Sequence, residues 1–459
     1  MKLNIEIHME ELKELVETKQ FRKLKFVLEK LNEADIADFL EDLNSEQATL
    51  VFRMLSKDLA SDVFAYLPVE VQRELINGMT DNEVQNIVED LFVDDAVDML
   101  EELPASVVRR VLENAKPDTR KTINQFLNYP DNSAGSIMTA EYIALHKDMT
   151  VSQSFDYIRA HGQDKETIYI LFVIDKSRHL EGVVSVKDLL MHKYEDRIQD
   201  IMNHNVINCY TTDDQEEAAN LMKKYDLMSL AVVDKENRLV GIITVDDAVD
   251  VLQEEATEDI QKMAAIVPNE QTYLRTGVFD TWKARIPWLM LLMVSATFTG
   301  LIIDSFEAAL SACVALTGFI PMLMDTGGNS GSQASVTVIR GLSLGEIEFR
   351  DLLQVIWKEL RVAVCCGVTL AVVNFVKIWI VDRTLFGRTD ITLAVDAVVC
   401  LTLLLTIICA KLIGCTLPML TNKLGFDPAV MASPFITTIV DAVSLLIYFE
   451  LAKTLLDVL

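Results

Sequence analysis

The stretch from 428 to 449 limits the fold of this chain more than any other. It holds 22 residues, and Asp441 is the only charged one among them. A helix of that length crosses the hydrocarbon core of a bilayer. A carboxylate near the middle of such a helix costs about 2.5–3.5 kcal/mol on insertion scales. We therefore expect this side chain to face a polar cavity or a polar partner rather than lipid.

The helical neighbours of Asp441 are also polar. Thr437 and Thr438 precede it by four and three residues, and Ser444 follows it by three, so one helix face carries hydroxyls around a carboxylate. Pro434 has no N–H, which predicts an unpaired backbone carbonyl one turn earlier. Such oxygens suit Mg²⁺ or its hydration shell. The pattern predicts a cation site; an Asp hydrogen-bonded to a neighbouring helix for structural reasons is the alternative.

Charge and apolarity occupy different parts of the chain. The whole chain of 459 residues has 69 acidic and 41 basic side chains, but residues 276–459 contain only 15 acidic and 12 basic ones. The remaining 54 acidic and 29 basic side chains give residues 1–275 a net charge of −25. This acidic surface excludes nucleic acid as a partner and concentrates cations; a charge that serves solubility alone is the alternative. The first apolar run long enough to insert starts near Ile286, without a preceding signal peptide, so we expect the acidic part to stay in the cytosol.

A twelve-residue apolar repeat runs through residues 1–132. Its positions are Leu31, Leu43, Leu55, Leu67, Met79, Leu91 and Leu103. The next residue usually favours a helix start or a turn, with Phe92 as the exception. Each unit therefore predicts a short helix and a turn. Such helices bury their apolar faces only by stacking, which predicts an acidic all-α solenoid.

Two segments between residues 133 and 252 repeat at an offset of 59. The matching pairs are Leu180 and Leu239, Gly182 and Gly241, Ser185 and Thr244, and Asp188 and Asp247. A β-rich run precedes each motif and a helix follows it. We expect two α/β domains, at about 133–197 and 198–252.

This repeat resembles a pair of CBS domains, the β-α-β-β-α regulatory module. The motif Leu180-Glu-Gly-Val-Val-Ser-Val-Lys-Asp188 carries the resemblance, since it recurs in the second segment. In that family a Ser or Thr and an Asp three residues later often hold a nucleotide ribose. The resemblance implies that Ser185 and Asp188 are candidates for binding ATP or another adenine nucleotide; an empty structural pair is the alternative. The second segment is unusually acidic, which favours divalent cations there.

Residues 253–280 predict a connecting helix. Glu254, Glu255, Glu258 and Asp259 crowd one side of it, and Pro268 interrupts it. A rigid helix here would transmit movement of the soluble half to the membrane, whereas a solvated linker helix is the alternative.

Residues 281–459 predict a transmembrane domain of five helices. The apolar runs are at about 286–303, 308–339, 355–381, 391–420 and 428–456. With a cytosolic amino terminus, five crossings place the carboxyl terminus outside, and the flanking basic residues favour this orientation.

The second run continues into the polar stretch Asp325-Thr-Gly-Gly-Asn-Ser-Gly-Ser-Gln333. Its glycines predict a weakened helix that exposes carbonyls, so Gly328 and Asn329 are candidate cation-site residues. Non-helical backbone at this depth must line protein or a watery cavity. A helix-packing seam of small residues is the alternative.

Over almost its full length the chain resembles the MgtE family of Mg²⁺ channels and transporters. Three motifs carry the match: Gly327-Gly-Asn-Ser-Gly-Ser-Gln333, Phe426-Asp-Pro-Ala429, and Ser433-Pro-Phe-Ile-Thr-Thr-Ile-Val-Asp441. The resemblance implies a homodimer in the lipid bilayer of the cell membrane, with one pore lined by the second and fifth spans. By resemblance, Asp441 is the essential pore aspartate, and Asp427 is an acid at the pore mouth that faces a "plug" helix, here residues 253–280.

The resemblance also implies regulatory Mg²⁺ between acidic faces of the helical array, the CBS pair and the plug. The matching positions are Asp94, Asp98, Asp214, Glu216, Asp226, Asp247, Asp250, Glu255, Glu258 and Asp259. The implied function is Mg²⁺ uptake that closes when cytosolic Mg²⁺ bridges these faces.

Two other functions stay open at this point. One is a transporter for another divalent ion, such as Co²⁺ or Mn²⁺, with a nucleotide as regulator; the lack of a Cys or His cluster in the pore segments favours harder ions. The other is a membrane-tethered scaffold whose CBS pair binds partners. No nucleophile–base arrangement or Walker-type loop is visible in the sequence, so we do not expect an enzyme.

Overall fold

The chain folds as two units, Met1–Gln253 and Glu254–Leu459, each with its own apolar core. The computed structural model describes residues 2–163, 165–269, 273, 276–388, 390–431 and 433–456. The boundary between the units falls inside one long helix, so the backbone passes from one unit to the other without a loop.

The first unit opens with a run of short helices. They are α1 Lys2–Glu17, α2 Phe21–Leu28, α3 Glu33–Glu41, α4 Ser45–Phe52, α5 Lys57–Ala65, α6 Val69–Gly78, α7 Asp81–Asp90, α8 Val93–Glu102, α9 Ala105–Asn114 and α10 Pro117–Phe126. From α3 to α9, the residue after each apolar repeat position is the N-cap, and at Asn32, Asn44 and Thr80 its side chain accepts a backbone N–H. Phe92 is also an N-cap, but without a side-chain hydrogen bond. The prediction of one helix per twelve residues is confirmed.

These helices stack as a repeat array. Each packs against the next but one, as α3 does on α5, α5 on α7 and α7 on α9. Ion pairs follow the same spacing: Lys57 Nζ lies 2.7 Å from Asp90, and Arg110 Nε lies 2.9 Å from Asp81. Part of the acidic charge of this region is therefore neutralised across the stack.

Two similar α/β modules follow. The first contains β1 Ala144–His146, α11 Val151–His161, β2 Ile170–Ile174, β3 Leu180–Ser185, α12 Val186–Met191 and α13 Ile198–Ile201; the second contains β4 Asn208–Tyr210, α14 Gln215–Tyr225, β5 Ser229–Val233, β6 Leu239–Thr244 and α15 Val245–Met263. In each sheet the first two strands are parallel and the last two antiparallel. Val173 pairs with Gly182, and Val232 pairs with Gly241, so the register repeats at the offset of 59.

Helix α15 continues from the second module into the second unit. The connecting segment predicted for residues 253–280 is helical up to Met263, and the backbone from Ala264 to Asn269 is not helical. Residues 270–272, 274 and 275 lie outside the described part of the chain.

The second unit is a bundle of long helices. They are α16 Val278–Ser305, the short α17 Glu307–Ala312, α18 Ile320–Ser343, α19 Leu352–Lys377, α20 Leu393–Lys423 and α21 Ser433–Leu456; 3₁₀ turns precede α18, α19 and α21, and a π-helical segment, Ile378–Leu385, follows α19. Among the described residues, four helical spans are long and apolar enough to cross a membrane: Val278–Ser305, Phe349–Leu385, Leu393–Lys423 and Pro434–Leu456. Helix α18 matches the predicted second span but is not among these four, so the count of five crossings is not confirmed.

The polar stretch in α18 does not interrupt the helix. The prediction of a weakened helix that exposes carbonyls is wrong, because α18 is continuous from Ile320 to Ser343. Gly327, Gly328 and Gly331 are buried against neighbouring helices, which is the small-residue packing seam named as the alternative. Close packing against protein compensates for the low helix propensity of glycine at these positions.

Candidate cation site

Helices α18 and α21 pack side by side in opposite directions. A Cβ on Gly328 would lie 2.9 Å from Thr437, whereas one on Gly331 would lie 2.8 Å from Ile436 and one on Gly327 would lie 3.0 Å from Val440. From Gly327 to Gly331 along α18, the contacted residue on α21 moves back from Val440 to Ile436, so the two helices are antiparallel. The glycines bring the two backbones together, and this closeness defines one wall of a cavity.

The cavity has a volume of about 420 Å³. It is lined by Ile320, Pro321, Met324, Asp325, Gly328, Asn329, Thr437 and Asp441. The predicted residues Asp441, Thr437, Gly328 and Asn329 therefore meet in one place. The cavity holds two carboxylates, because Asp325 on α18 joins Asp441 on α21.

Neither carboxylate has a basic partner within 4 Å in the part of the chain that the structure describes. Elsewhere in the same unit the opposite holds: the buried Glu359 of α19 lies 3.7 Å from the ammonium group of Lys411 on α20. Intramembrane charges ordinarily pair in this way or serve an ion path. The cavity thus carries negative charge that a diffusible cation can neutralise.

The hydroxyl groups around Asp441 divide into two kinds. Thr437 lines the cavity and donates its proton to the Pro434 carbonyl at 2.9 Å, which leaves its oxygen as an acceptor. Thr438 donates to the same carbonyl at 3.0 Å but does not line the cavity. Ser444 is fully buried and donates to Val440. The two threonines therefore share the carbonyl of Pro434, in the first turn of α21.

Asp427 lies in the turn before α21, away from the cavity lining. One of its carboxylate oxygens accepts the backbone N–H of Ala429 at 2.7 Å, and the other lies 2.7 Å from Lys262 Nζ near the end of α15. Lys262 also contacts Glu258 at 2.7 Å. Burial, followed by the Asp427 charge, raises the pKa of Asp259 on the same helix. Glu258 and Asp427 therefore share Lys262 as a basic partner.

A second acidic cluster forms in the first unit. It joins Asp94 and Asp95, in the first turn of α8, with Asp247, in the first turn of α15, and Glu166. Burial and then mutual repulsion raise the pKa of Asp94 well above its usual range, and raise that of Asp95 and Glu166 to about 7 and that of Asp247 to about 6. Asp94 is 7% exposed, and its Oδ1 has no hydrogen-bond partner among the described residues. This buried, unpartnered oxygen fits a cation.

The other predicted regulatory acids are more dispersed. Asp98 is exposed, unlike Asp94 one turn earlier, and Asp250 is exposed on α15. Asp214 and Glu216 begin α14, whereas Asp226 ends it in a left-handed conformation, so they lie at opposite ends of an 11-residue helix. Glu255 is half-buried on α15. Among the described residues, no three His, Cys, Asp or Glu side chains are already close enough to hold a metal ion directly.

The candidate nucleotide residues form a helix cap. Ser185 Oγ donates to Asp188 Oδ2 at 2.6 Å and accepts the Asp188 N–H at 3.1 Å, and the Ser185 N–H donates to the same carboxylate oxygen. The Ser185 hydrogen bond lowers the pKa of Asp188. Thr244 and Asp247 repeat this contact, with the hydroxyl donating to the carboxylate at 2.5 Å. The motif therefore has a structural role in both modules.

Replacing Gly414 by Ala should destabilise the second unit. A Cβ on Gly414 of α20 would overlap the carbonyl of Gly331 on α18, so the two backbones must separate. Overpacking of this kind costs about 1–3 kcal/mol, which lowers the melting temperature of a unit of about 200 residues by roughly 5 °C. Gly300→Ala on α16 is the matched control, because nothing lies within 4 Å of its added Cβ. Thermal unfolding of the detergent-solubilised protein measures the melting temperature of both variants. Equal melting temperatures would contradict the close packing of α20 on α18 at Gly414.

Sequence reasoning missed several residues that the structure brings into these sites. They are Asp325 in the cavity, Lys262 beside Asp427, and Glu166 beside Asp94. Asp325 had a usable signal, since it precedes Asn329 by one helical turn. Glu166 had none, because it lies in a loop between α11 and β2.

Comparison with known proteins agrees with this architecture. Residues 320–451 match the family model for MgtE, described as a divalent cation transporter; residues 31–132 match that for the MgtE intracellular N domain, and residues 134–195 and 198–254 each match that for a CBS domain. The chain is 36% identical to the magnesium transporter MgtE of Thermus thermophilus, over 97% of this chain and 98% of that one. It is 32% identical to the magnesium transporter MgtE of Bacillus subtilis, over 94% of each.

A solved structure is similar as well. It is the cytosolic domain of the Mg²⁺ channel MgtE in complex with ATP, with 36% identity and a TM-score of 0.50 over 52% of this chain and 98% of that one.

The chain combines an acidic helical array and a CBS pair with a bundle of membrane-length helices and a carboxylate-lined cavity. This combination defines a multi-pass membrane protein with a site for cations. The chain belongs to the MgtE family of divalent cation transporters. That family consists of transporters and is not a class of enzymes.

Proposed function

We propose that this protein carries Mg²⁺ across the cell membrane through the cavity between α18 and α21. The observation that carries the proposal is the pair of carboxylates, Asp441 and Asp325, that face the cavity without a basic partner among the described residues. Mg²⁺ loses its water reluctantly, so a site that holds the hydrated ion needs room and hard oxygens. The cavity volume and the Thr437 and Asn329 side chains supply both. The names of the relatives support Mg²⁺ as the ion.

The transporting form is a homodimer in the lipid bilayer. Asp325 and Asn329 are exposed on a single chain although they face the cavity, so a second chain across a twofold axis would complete the wall. Helix α18 then counts as the second of five crossings despite its polar residues, because α20 and α21 cover its small-residue face. Five crossings with a cytosolic amino terminus put the carboxyl terminus outside. The boundaries 1–132, 133–252, 253–280 and 281–459 belong to the same proposal.

Cytosolic Mg²⁺ closes the transport path by binding acidic side chains of the helical array, the CBS pair and α15. In the acidic cluster, Asp94, Asp95, Asp247 and Glu166 repel one another unless cations or protons compensate their charge. Mg²⁺ favours closure to the extent that it binds the compact state more tightly than a loose one. The predicted regulatory sites are Asp94, Asp98, Asp214, Glu216, Asp226, Asp247, Asp250, Glu255, Glu258 and Asp259.

The end of α15 acts as the plug. Lys262 holds it to Asp427, and Met263 packs against Ile339 and Ala429. Asp259 accepts a hydrogen bond from Ser343 at 3.4 Å. Without the lysine, Glu258, Asp259 and Asp427 would repel one another at this point. Closure would then depend more strongly on Mg²⁺.

An adenine nucleotide binds the CBS pair in this proposal. The similar cytosolic domain was solved with ATP. Both hydrogen bonds that the Asp188 carboxylate accepts from Ser185, from its N–H and from its hydroxyl, use the Oδ2 oxygen, so Oδ1 can accept a ribose hydroxyl.

The test is Mg²⁺ flux into liposomes that contain the purified full chain, read by a trapped Mg²⁺ indicator while the Mg²⁺ on the side of the soluble unit is raised from micromolar to millimolar. We expect flux that falls as this concentration rises. Lys262→Gln should shift the half-closing concentration upward by about tenfold, the equivalent of one lost ionic contact. Lys453→Gln, at an exposed lysine of α21, is the control. Absence of flux in the wild type would refute transport; an unshifted midpoint in Lys262→Gln would refute the plug contact.

A further inference from the structure

The cavity contains a charged residue for which neither the helix pattern nor the MgtE resemblance gave a role. Asp325 lies one turn before Asn329 on α18, and the Asn329 side-chain amide donates to Asp325 Oδ1 at 3.1 Å. This hydrogen bond favours one orientation of the carboxylate, because it joins Asp325 to an amide one turn away on the same helix. The other oxygen, Oδ2, makes no described hydrogen bond.

The packing of α18 on α21 puts this carboxylate at the level of Asp441. Gly328 and Thr437 face each other across the two helices. Asp325 precedes Gly328 by three residues, and Asp441 follows Thr437 by four, on helices that run in opposite directions. Both are therefore displaced from the Gly328–Thr437 contact towards the same end, by about 4.5 and 6 Å at 1.5 Å per residue. Side chains that line one cavity at one level act on the same ion.

We propose that Asp325 is a second cation-holding carboxylate of the transport path, and that it sets the preference for divalent over monovalent ions. The inference rests on the proposed function, since it assigns a residue to the same path. In the homodimer each chain contributes Asp325 and Asp441, so four carboxylates face one axis. Raising the fixed charge at a site favours a doubly charged ion over Na⁺ or K⁺, because attraction grows with the charge of the ion while the ions compete for the same space.

The two carboxylates have different expected roles. Asp441 sits on α21 beside the Thr437 hydroxyl, whereas Asp325 is oriented by Asn329 on its own helix. Removing the charge of Asp325 leaves Asp441, Thr437 and the glycine seam in place. The path should then remain open but hold Mg²⁺ more weakly, so affinity and selectivity change more than maximal flux does.

The experiment compares Asp325→Asn, Asp325→Glu and wild type as full-length protein in liposomes, by Mg²⁺ flux with and without competing K⁺. In Asp325→Asn we expect the Mg²⁺ concentration for half-maximal flux to rise by about tenfold and K⁺ to inhibit more strongly, while maximal flux changes less than about threefold. Asp325→Glu, which retains the charge, should restore most of the affinity and the resistance to K⁺. A purely structural role would lower maximal flux in both variants alike.

The outcomes separate this inference from the proposed function. Wild-type flux together with unchanged affinity and K⁺ competition in Asp325→Asn would overturn the role of Asp325 alone. Equal loss of affinity in Asp325→Glu and Asp325→Asn would also overturn it, because the charge would then not matter. Absence of Mg²⁺ flux in the wild type would overturn the proposed function. Asp325→Ser provides a second neutral variant, smaller than Asn, and must reproduce the affinity loss of Asp325→Asn.

Discussion

Mg²⁺ flux through this protein should fall by at least about 100-fold when Asp441 is replaced by Asn or Ala, with the chain still folded and inserted. Asp441 faces the cavity from the middle of α21 and has no basic partner among the described residues. In the proposed homodimer, the two Asp441 carboxylates face each other across the twofold axis and repel each other, and a divalent ion between them compensates both charges. Losing a charge contact worth about 3 kcal/mol at this point corresponds to about two orders of magnitude.

Glu450→Gln is the matched control for this substitution. It neutralises a carboxylate on the same helix, but Glu450 is exposed and does not line the cavity. We expect wild-type flux from it. The measurement is Mg²⁺ uptake into liposomes, with gel filtration in detergent to show that each variant is folded. Wild-type-like uptake by Asp441→Asn or Asp441→Ala would remove this residue from the transport path.

The first unit, Met1–Gln253, should become less stable as pH rises from about 4 to about 7 when divalent cations are absent. Burial and mutual repulsion raise the pKa of Asp95 and Glu166 to about 7 and that of Asp247 to about 6 in the folded state. The folded state therefore binds these protons more tightly than the unfolded state, whose carboxyl groups titrate near 4. Stability is highest when the cluster is protonated and declines as pH rises through the folded pKa values. Mg²⁺ should flatten this decline, because it replaces the lost protons.

Asp94→Asn should reduce both the loss of stability at high pH and the protection that Mg²⁺ gives against it. The substitution removes a buried charge whose Oδ1 has no described partner, so proteolysis without Mg²⁺ should slow by about tenfold at pH 7.5. The added protection from Mg²⁺ should shrink at the same time. The measurement is limited proteolysis of the full chain in detergent, at pH 5 and 7.5, with and without millimolar Mg²⁺.

Asp118→Asn is the control for the cluster. Asp118 occupies the second position of α10, as Asp94 does in α8, but it is exposed. Both substitutions therefore remove the same favourable charge from a helix N-terminus, and they differ only in burial and neighbours. Equal behaviour of the two variants, or equal cutting of the wild type with and without Mg²⁺, would remove the acidic cluster from the regulatory proposal.

Local sequence signals were sufficient to predict much of the architecture. The residue after each apolar repeat position became an N-cap, even at Phe92, because helix ends are determined within one turn of the chain. The paired strands share a register at an offset of 59, because alternation and turn residues determine pairing between neighbouring strands. The charge of Asp441 inside an apolar helix was also visible without coordinates.

The composition of the sites required the tertiary structure. The stretch around Gly328 is rich in weak helix formers, and only the packing of α20 and α21 shows why it is helical. Asp325 joins Asp441 across more than a hundred residues of chain, Lys262 joins Asp427 across a similar span, and Asp94 meets Asp247 from another module.

The amino-acid sequence alone therefore determined the helical repeats, the paired modules and the lone charge in the last crossing, since each depends on residues within a few turns of one another. Tertiary structure alone decided which carboxylates share a cavity and which have a lysine, because such contacts depend on where distant helices pack, and side-chain periodicity carries no information about that.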